Sequence, residues 1–106
     1  MQERKPLNPG QRERVVDHVN RFLASWEHEL GEDFARLVAD RESRSHVVHC
    51  GASILLHRWG YGPPGGSFVE AVAGNDLMEA FGRADWVNVR AIRFYCTLIY
   101  NTGLIE

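Results

Sequence analysis

The sequence of 106 residues contains only two cysteines, Cys50 and Cys96, and four prolines. Two cysteines are too few for a disulfide framework, although they allow a single bridge, so we expect a cytoplasmic protein with reduced thiols. The first residues contain no apolar run of the kind that marks a signal peptide. No stretch approaches the roughly 20 apolar residues of a membrane-spanning helix, so no membrane partner is expected.

The sequence also lacks an excess of charge of one sign. It has 12 Lys and Arg residues and 14 Asp and Glu residues, which leaves a formal net charge of −2. This balance gives no electrostatic reason to expect nucleic acid or an anionic membrane as a partner. The length suits one domain spanning residues 1–106, and the hydrophobic content of 44% suffices for a core without metal or disulfide support.

Apolar residues recur at steps of three and four along most of the chain, and this spacing predicts helices. The first helix is predicted over residues 9–30 with Asn8 as its N-cap, and the last over residues 86–101. Residues 1–8 are predicted to form a flexible N-terminus. We therefore expect an all-α fold, a single compact domain of four to six helices with long first and last helices.

The middle of the chain is less regular. A short helix is expected after Gly31, and Ser45 is a candidate cap for a third helix. Residues 46–58 fit either a helix or strands, because Val-Val and Ile-Leu-Leu pair well in sheets and Gly51 weakens a helix. The segment GYGPPGG that follows is predicted to be a loop.

The stretch behind this loop is rich in the polar residues that helix starts require. Ser67 and Asp76 are each followed three residues later by a glutamate, the pattern of a capping box, and Asp85 precedes the last helix. We predict that all three are helix caps, because nothing in the spacing makes the two aspartates converge as a catalytic pair. The role of Asn88, one turn inside the last helix, stays open.

A short helix is predicted between the last two of these caps. The preceding helix should end near Gly74 and Asn75, since these residue types best tolerate the left-handed conformation of a helix end. Leu77, Met78 and Phe81 are then expected to supply the apolar side of the short helix.

Four matching pieces follow one another in order in residues 62–101: PPGGSFVEAVAGNDL (63–77), AFGRAD (80–85), Asn88 and IYN (99–101). This string resembles the segment P-x-G-G-F-L-x-A-V-L-x-N-D-L, A-x-x-R-A-D-x-x-N and L-Y-N of an uncharacterised family of small bacterial, phage and prophage proteins. The chain departs from it by an inserted Ser67, by Ala73 in place of leucine, and by lacking the Pro and Trp-Gly-Ser tail. The resemblance implies a phage or mobile-element context and an all-helical tail, and it implies no reaction.

The segment HVVHC is the best candidate metal site. His46 and Cys50 are four residues apart and share a helix face, His49 is adjacent, and Cys96 on the last helix could join them. Zinc takes such ligands, but its structural sites usually use closer pairs in loops. Cys96 lies among apolar neighbours, where a thiol acts as a small buried hydrophobic group. No Cys-His pair has a local catalytic signature, so we predict no metal, no cofactor and no catalytic residue.

The last helix carries a candidate partner-binding stripe. Trp86, Arg90, Arg93, Thr97 and Tyr100 recur at steps of four and three and form one face. Trp, Tyr and Arg dominate the hot spots of protein interfaces, although an ordinary solvated face is the simpler interpretation.

Trp59 and Tyr61, on either side of Gly60, form a second candidate contact patch. Together these features favour a non-enzymatic protein-binding module of phage or mobile-element origin that occupies a host or defence protein, as an anti-CRISPR-like inhibitor would. The alternative is a small nucleic-acid-associated regulator with a helix-turn-helix-like element, in which Arg90 and Arg93 touch phosphate. The net negative charge disfavours it. A small hydrolase or metal enzyme ranks third.

Overall fold

The computed structural model describes residues 4–63 and 65–103, and within these ranges the chain forms six helices and no strand. The all-α single domain predicted from the sequence is confirmed. None of the helices in the described part of the chain is long and apolar enough to cross a membrane. In chain order the helices are α1 (Pro9–Trp26), α2 (Glu32–Ala39), α3 (Arg41–Trp59), α4 (Ser67–Ala73), α5 (Leu77–Arg83) and α6 (Trp86–Asn101).

Helix α3 lies at the centre and packs against α1, α2, α4 and α6. The open question of helix or strand over residues 46–58 is thus resolved as helix. Because neighbours surround α3, its buried residues lie on several sides rather than on one stripe, which explains the ambiguous pattern in the sequence. The core also includes aromatic contacts, such as Phe94 on α6 stacked against Phe34 on α2 with ring centroids 5.4 Å apart.

Three of the predicted caps are confirmed. The Asn8 side chain accepts from the N–H of Gly10 at 3.2 Å at the start of α1. Asp76 accepts from the third residue of α5 at 3.2 Å, and Asp85 accepts from the third residue of α6 at 2.7 Å. Each bond satisfies one of the amides that a helix start leaves without a partner.

The prediction that Ser67 is a cap is wrong. Ser67 is the first helical residue of α4, and the extended Gly66 precedes it as N-cap, with no side-chain cap bond. A residue inside the first turn cannot cap its own helix, because the cap position needs non-helical backbone. Ser45 is also not a cap, since α3 begins four residues earlier and Asp40 accepts from the N–H of Ser43 at 3.0 Å.

Helix ends depart from the predictions in one place and match in another. Helix α1 ends at Trp26 rather than at Leu30, and the chain turns before Gly31, whose φ of +100° suits glycine. Helix α4 ends as predicted at Gly74, with Asn75 in the left-handed conformation at φ +61°.

Residues 4–8, within the segment expected to be flexible, make defined contacts. The N–H of Lys5 donates to the carbonyl of Gly60 at 2.7 Å, and the N–H of Gly62 donates to the carbonyl of Lys5 at 2.8 Å. Gly60 and Gly62 have φ of +82° and +70°, and the turn they form leaves backbone groups free to pair with this segment. The N-terminal segment thus lies beside the end of α3.

Candidate functional site

The stripe predicted on α6 lies on the outside of the protein. Trp86 is 67% exposed and Tyr100 is 91% exposed, and Arg90 and Arg93 are exposed between them. Thr97 is partly buried, and its hydroxyl donates to the carbonyl of Arg93. The opposite side of α6 packs into the core, so the helix is held rigidly while its outer face stays free.

Helix α5 carries several exposed apolar residues. Leu77 is 62% exposed, Met78 is 86% exposed and Phe81 is 49% exposed, whereas Ala80 is buried. Leu77, Met78 and Phe81 were expected to supply the apolar side of α5, but they do not face the core, because α5 meets the core through its small alanine. The sequence did contain a hint: four of the seven residues in α5 are apolar, more than one side of a short helix can bury.

Helices α5 and α6 are neighbours, and both carry exposed residues. Leu77 of α5 lines the same shallow depression as Ile92 and Cys96 of α6, so the two helices meet there. We call this surface the α5–α6 face and define it as Leu77, Met78, Phe81, Trp86, Val89, Arg90, Arg93, Cys96 and Tyr100.

The second predicted patch has a different environment. Trp59 and Tyr61 are partly buried and pack against the core, with Trp59 in the last position of α3 rather than in the loop. The Tyr61 ring also has the Lys5 ammonium 5.2 Å from its centroid. These two aromatics therefore offer less free surface to a protein partner than Trp86 and Tyr100 do.

A polar cluster joins α3 to α6. His46 Nε2 lies 3.2 Å from Asp85 Oδ2, and Asp85 caps α6 through its other oxygen. Inside the protein, the Tyr95 hydroxyl donates to Asn88 Oδ1 at 2.6 Å. The side chain of Asn88 is thus a buried acceptor, which answers the question left open by the sequence.

This cluster has little of the chemistry that HVVHC suggested. Burial raises the pKa of the Cys50 thiol to about 11, so at neutral pH the free group is a thiol and not the reactive thiolate. Cys96 is exposed on the outer side of α6, contrary to the expectation of a buried thiol, and both cysteines are free. Among the residues that the structure describes, no three His, Cys, Asp or Glu side chains are grouped to hold a metal ion.

Scans against protein-family models, curated proteins and solved structures found no match for this chain. The resemblance to small phage and prophage proteins therefore stays a prediction. Among the surfaces of the molecule, the α5–α6 face is the candidate site that the geometry favours.

Proposed function

We propose that this protein is a non-enzymatic protein-binding module and that the α5–α6 face is its docking surface. One observation carries the proposal. All the large apolar side chains that are well exposed in the described part of the chain belong to α5 and α6: Leu77, Met78, Phe81, Trp86, Val89 and Tyr100. Single exposed apolar residues are ordinary, but a concentration on two adjacent helices is typical of an interaction site.

The charges on this face indicate the chemistry of the partner. Arg90 and Arg93 are the only charged residues of α6. Neither forms an ion pair with any described residue; Arg90 donates only to the carbonyl of Asp33 at 3.4 Å. On α5, Arg83 is neutralised by Glu79 at 3.1 Å. An apolar surface with two free arginines suits a partner that presents apolar side chains beside acidic ones.

The same charges argue against a second copy of this chain as the partner. A two-fold symmetric dimer uses the same patch on both subunits. Such a dimer through the α5–α6 face would bring Arg90 and Arg93 of both copies into one interface with no carboxylate of α6 to offset them. Like charges at an interface oppose association.

The biological role that we propose is inhibition of a host or defence protein in the cytoplasm by steric occupation, as in anti-CRISPR-like inhibitors. The resemblance to phage and prophage proteins supports this role. The raised pKa of the Cys50 thiol and the structural use of Asp76 and Asp85 as caps also favour binding over catalysis. Docking would need no large rearrangement, since α6 is anchored in the core along its length.

The test is an affinity pull-down from lysate of the source or its host, with and without nuclease, comparing wild-type protein with surface variants. Trp86→Ala removes an exposed aromatic side chain, and Met78→Glu places a charge on the apolar part of the face. Ala24→Glu on the exposed side of α1 is the matched control. We expect one stoichiometric protein partner that survives nuclease and is retained by the control.

For the purified pair, Trp86→Ala should weaken binding by about 2 kcal/mol or more, roughly 30-fold, as for an aromatic hot spot. The variants should keep the thermal stability of the wild type, because the side chains are exposed. A partner captured equally well by all variants contradicts docking at this face. Loss of every partner on nuclease treatment favours the nucleic-acid-associated regulator instead.

A further inference from the structure

A cleft of about 620 Å³ lies where the N-terminal segment meets the end of α3 and the end of α4. This volume lies within the roughly 300–1,000 Å³ of small-molecule sites. The cleft shares no lining residue with the α5–α6 face. We call it the basic cleft and define it by Arg4, Lys5, His57, Arg58, Trp59 and Glu70.

The basic cleft concentrates positive charge in a chain whose net charge is −2. Within the described part of the chain, three cationic side chains line it against one carboxylate, that of Glu70. Among the described residues, no carboxylate lies within ion-pair distance of Arg4, Lys5 or Arg58. Four other arginines of the chain do have such partners: Arg21, Arg36, Arg44 and Arg83. Unneutralised charge in a concave surface raises the local potential for anions.

Two of the cations are held in place by backbone carbonyls. The Arg4 guanidinium donates through Nε to the carbonyl of Gly62 at 2.6 Å, and through Nη2 to those of Tyr61 at 3.1 Å and His57 at 3.4 Å. Arg58 Nη1 donates to the carbonyl of Ala73 at 2.9 Å. A guanidinium has five N–H groups, so Arg58 retains most of its donors for a ligand while its position is fixed. Such pre-organisation lowers the entropy lost on binding.

The carbonyls at the ends of α3 and α4 disfavour the binding of an anion, because a helix C-terminus carries about half a negative charge. Arg4 and Arg58 bond to carbonyls at these ends and offset them, and Lys5 adds a further positive charge. The net charge of the described lining residues therefore remains positive. His57 contributes a donor as well: its Nδ1 accepts from the N–H of Gly65 at 3.3 Å, so the neutral ring carries its proton on Nε2.

We propose that the basic cleft binds a small phosphorylated ligand of nucleotide size, with its phosphate at Arg4, Lys5 and Arg58 and its organic part beside Trp59. Phosphate is favoured because the fork of a guanidinium matches a pair of phosphate oxygens and because a dianion suits the charge of the lining. The cleft also exceeds the size of phosphate alone, and the partly buried Trp59 is the aromatic residue of its lining that a flat group could contact.

The experiment is isothermal titration calorimetry of the full chain in phosphate-free, low-salt buffer with three probes: ADP, inorganic pyrophosphate and adenosine. We expect ADP and pyrophosphate to bind and adenosine not to bind. Tighter binding of ADP than of pyrophosphate assigns the organic part to Trp59, and a Trp59→Phe variant should then reduce that difference. Equal binding of the two overturns the role of Trp59, and a failure of both to bind overturns the proposal.

Charge variants give the second arm. Arg58→Gln should lower the affinity for pyrophosphate about tenfold or more, as for the loss of a charged contact. Glu70→Gln should raise it several-fold, because it removes the only carboxylate among the described residues of the lining. Arg93→Gln on α6 makes the same change in net charge as Arg58→Gln outside the cleft and should leave the affinity unchanged.

An equal loss in Arg93→Gln and Arg58→Gln means a non-specific effect of net charge and overturns the site. Arg58→Gln also loses the bond to Ala73, so its fold is checked by circular dichroism. If that variant does not fold, binding of pyrophosphate by Glu70→Gln tests the proposal instead, because Glu70 is exposed and its replacement should not affect folding. Unchanged or weaker binding of pyrophosphate by Glu70→Gln contradicts the proposal. None of these variants alters the α5–α6 face except the Arg93 control, so this result and that of the docking test are independent.

Discussion

The hydrogen bond between Tyr95 and Asn88 joins two buried side chains of α6. Tyr95 is fully buried and Asn88 is 6% exposed, and the hydroxyl lies 2.6 Å from Asn88 Oδ1. Buried polar atoms need a hydrogen-bond partner, because burial removes their hydrogen bonds to water and the loss is otherwise uncompensated. Residues 88 and 95 are two turns apart on one helix face, and this spacing lets the two groups meet.

Tyr95→Phe should lower the free energy of unfolding by about 1–3 kcal/mol, because the amide oxygen of Asn88 is left buried without a donor. Urea denaturation measures this change. Tyr100→Phe on the same helix is the matched control: its side chain is 91% exposed, and its change should stay within about 0.5 kcal/mol.

A double-mutant cycle separates the bond from simple loss of volume. Asn88→Ala should cost less in the Tyr95→Phe background than in the wild type, because the partner is already absent. Strictly additive changes would mean that the two side chains contribute independently and that the bond has no energetic role.

Asp76 caps the start of α5, whereas Ser67 at the start of α4 makes no cap bond, and this difference can be measured. Asp76→Ala should lower stability by about 1 kcal/mol, since its carboxylate accepts from the amide of Glu79 at 3.2 Å. Ser67→Ala is the control: Ser67 lies inside α4 and makes no cap bond, so its replacement should be nearly neutral. Thermal unfolding of both variants measures the two changes in stability. A larger loss for Ser67→Ala contradicts the assigned helix start.

Binding to a protein partner should survive in Asp76→Ala, because the residue acts on helix stability and not on the docking side chains. Unchanged stability with abolished binding would show instead that Asp76 contacts the partner directly.

Two glycines within helices should respond oppositely to alanine. A Cβ at Gly82 of α5 meets no atom within 4 Å, so Gly82→Ala should stabilise the protein by roughly 0.5–1 kcal/mol through helix propensity. At Gly51 of α3 a Cβ would lie 3.0 Å from Val19 Cγ1 and 3.1 Å from Leu98 Cδ2. Both neighbours are fully buried and have little room to move.

Gly51→Ala should therefore destabilise the protein, because overpacking of a dense core costs about 1–3 kcal/mol and exceeds the propensity gain. Chemical denaturation of the two variants side by side tests this difference. Stabilisation by Gly51→Ala would mean that α1 and α6 can move away from α3 at small cost.

Whole helices were predictable from the sequence to different extents. Helices α1 and α6 bury one side, so their apolar residues recur every three or four positions. Helix α3 is surrounded by neighbours and has no such stripe, so its residues 46–58 could also be interpreted as strands. For α5 the local pattern predicted a helix, but not which of its apolar residues face solvent. That choice depends on Ala80 fitting close to the core, which no local pattern records.

At the scale of the whole molecule, burial of two histidines makes stability depend on pH. The pKa of His18 is lowered, first by burial and then by Arg21, with Asp17 acting in the opposite direction. The pKa of His57 is lowered by burial and by Arg4, with Glu70 opposing. The folded protein thus favours the neutral rings, whereas the unfolded chain takes up protons below the ordinary pKa of 6.5.

Stability from these groups is fully present above pH 6.5 and is lost as the pH falls through the lowered pKa values. Urea midpoints measured at about pH 7.5 and about pH 5.5 should therefore show a less stable protein at the lower pH. Replacing His18 and His57 together by glutamine should reduce this difference. A midpoint that rises on acidification contradicts the assigned direction of both shifts.

The net charge of the whole molecule does not indicate where charges of one sign are concentrated. The net charge of −2 correctly describes the composition, yet the outer face of α6 carries two arginines and no carboxylate, and the basic cleft is positive. A sum over residues cannot show this, because it contains no information on which side chains share a surface.

The sequence by itself determined the helical fold class, most helix boundaries and the caps Asn8, Asp76 and Asp85, because these depend on contacts within three or four residues. It also located the exposed stripe of α6 from periodicity. Only the tertiary structure decided the rest: the exposure of the apolar residues of α5, the burial of the Asn88 side chain against Tyr95, and the presence of both Arg4 and Arg58 in the lining of the basic cleft. The physical reason is that burial and charge clustering are set by segments distant in sequence, whose approach depends on how the helices pack around α3.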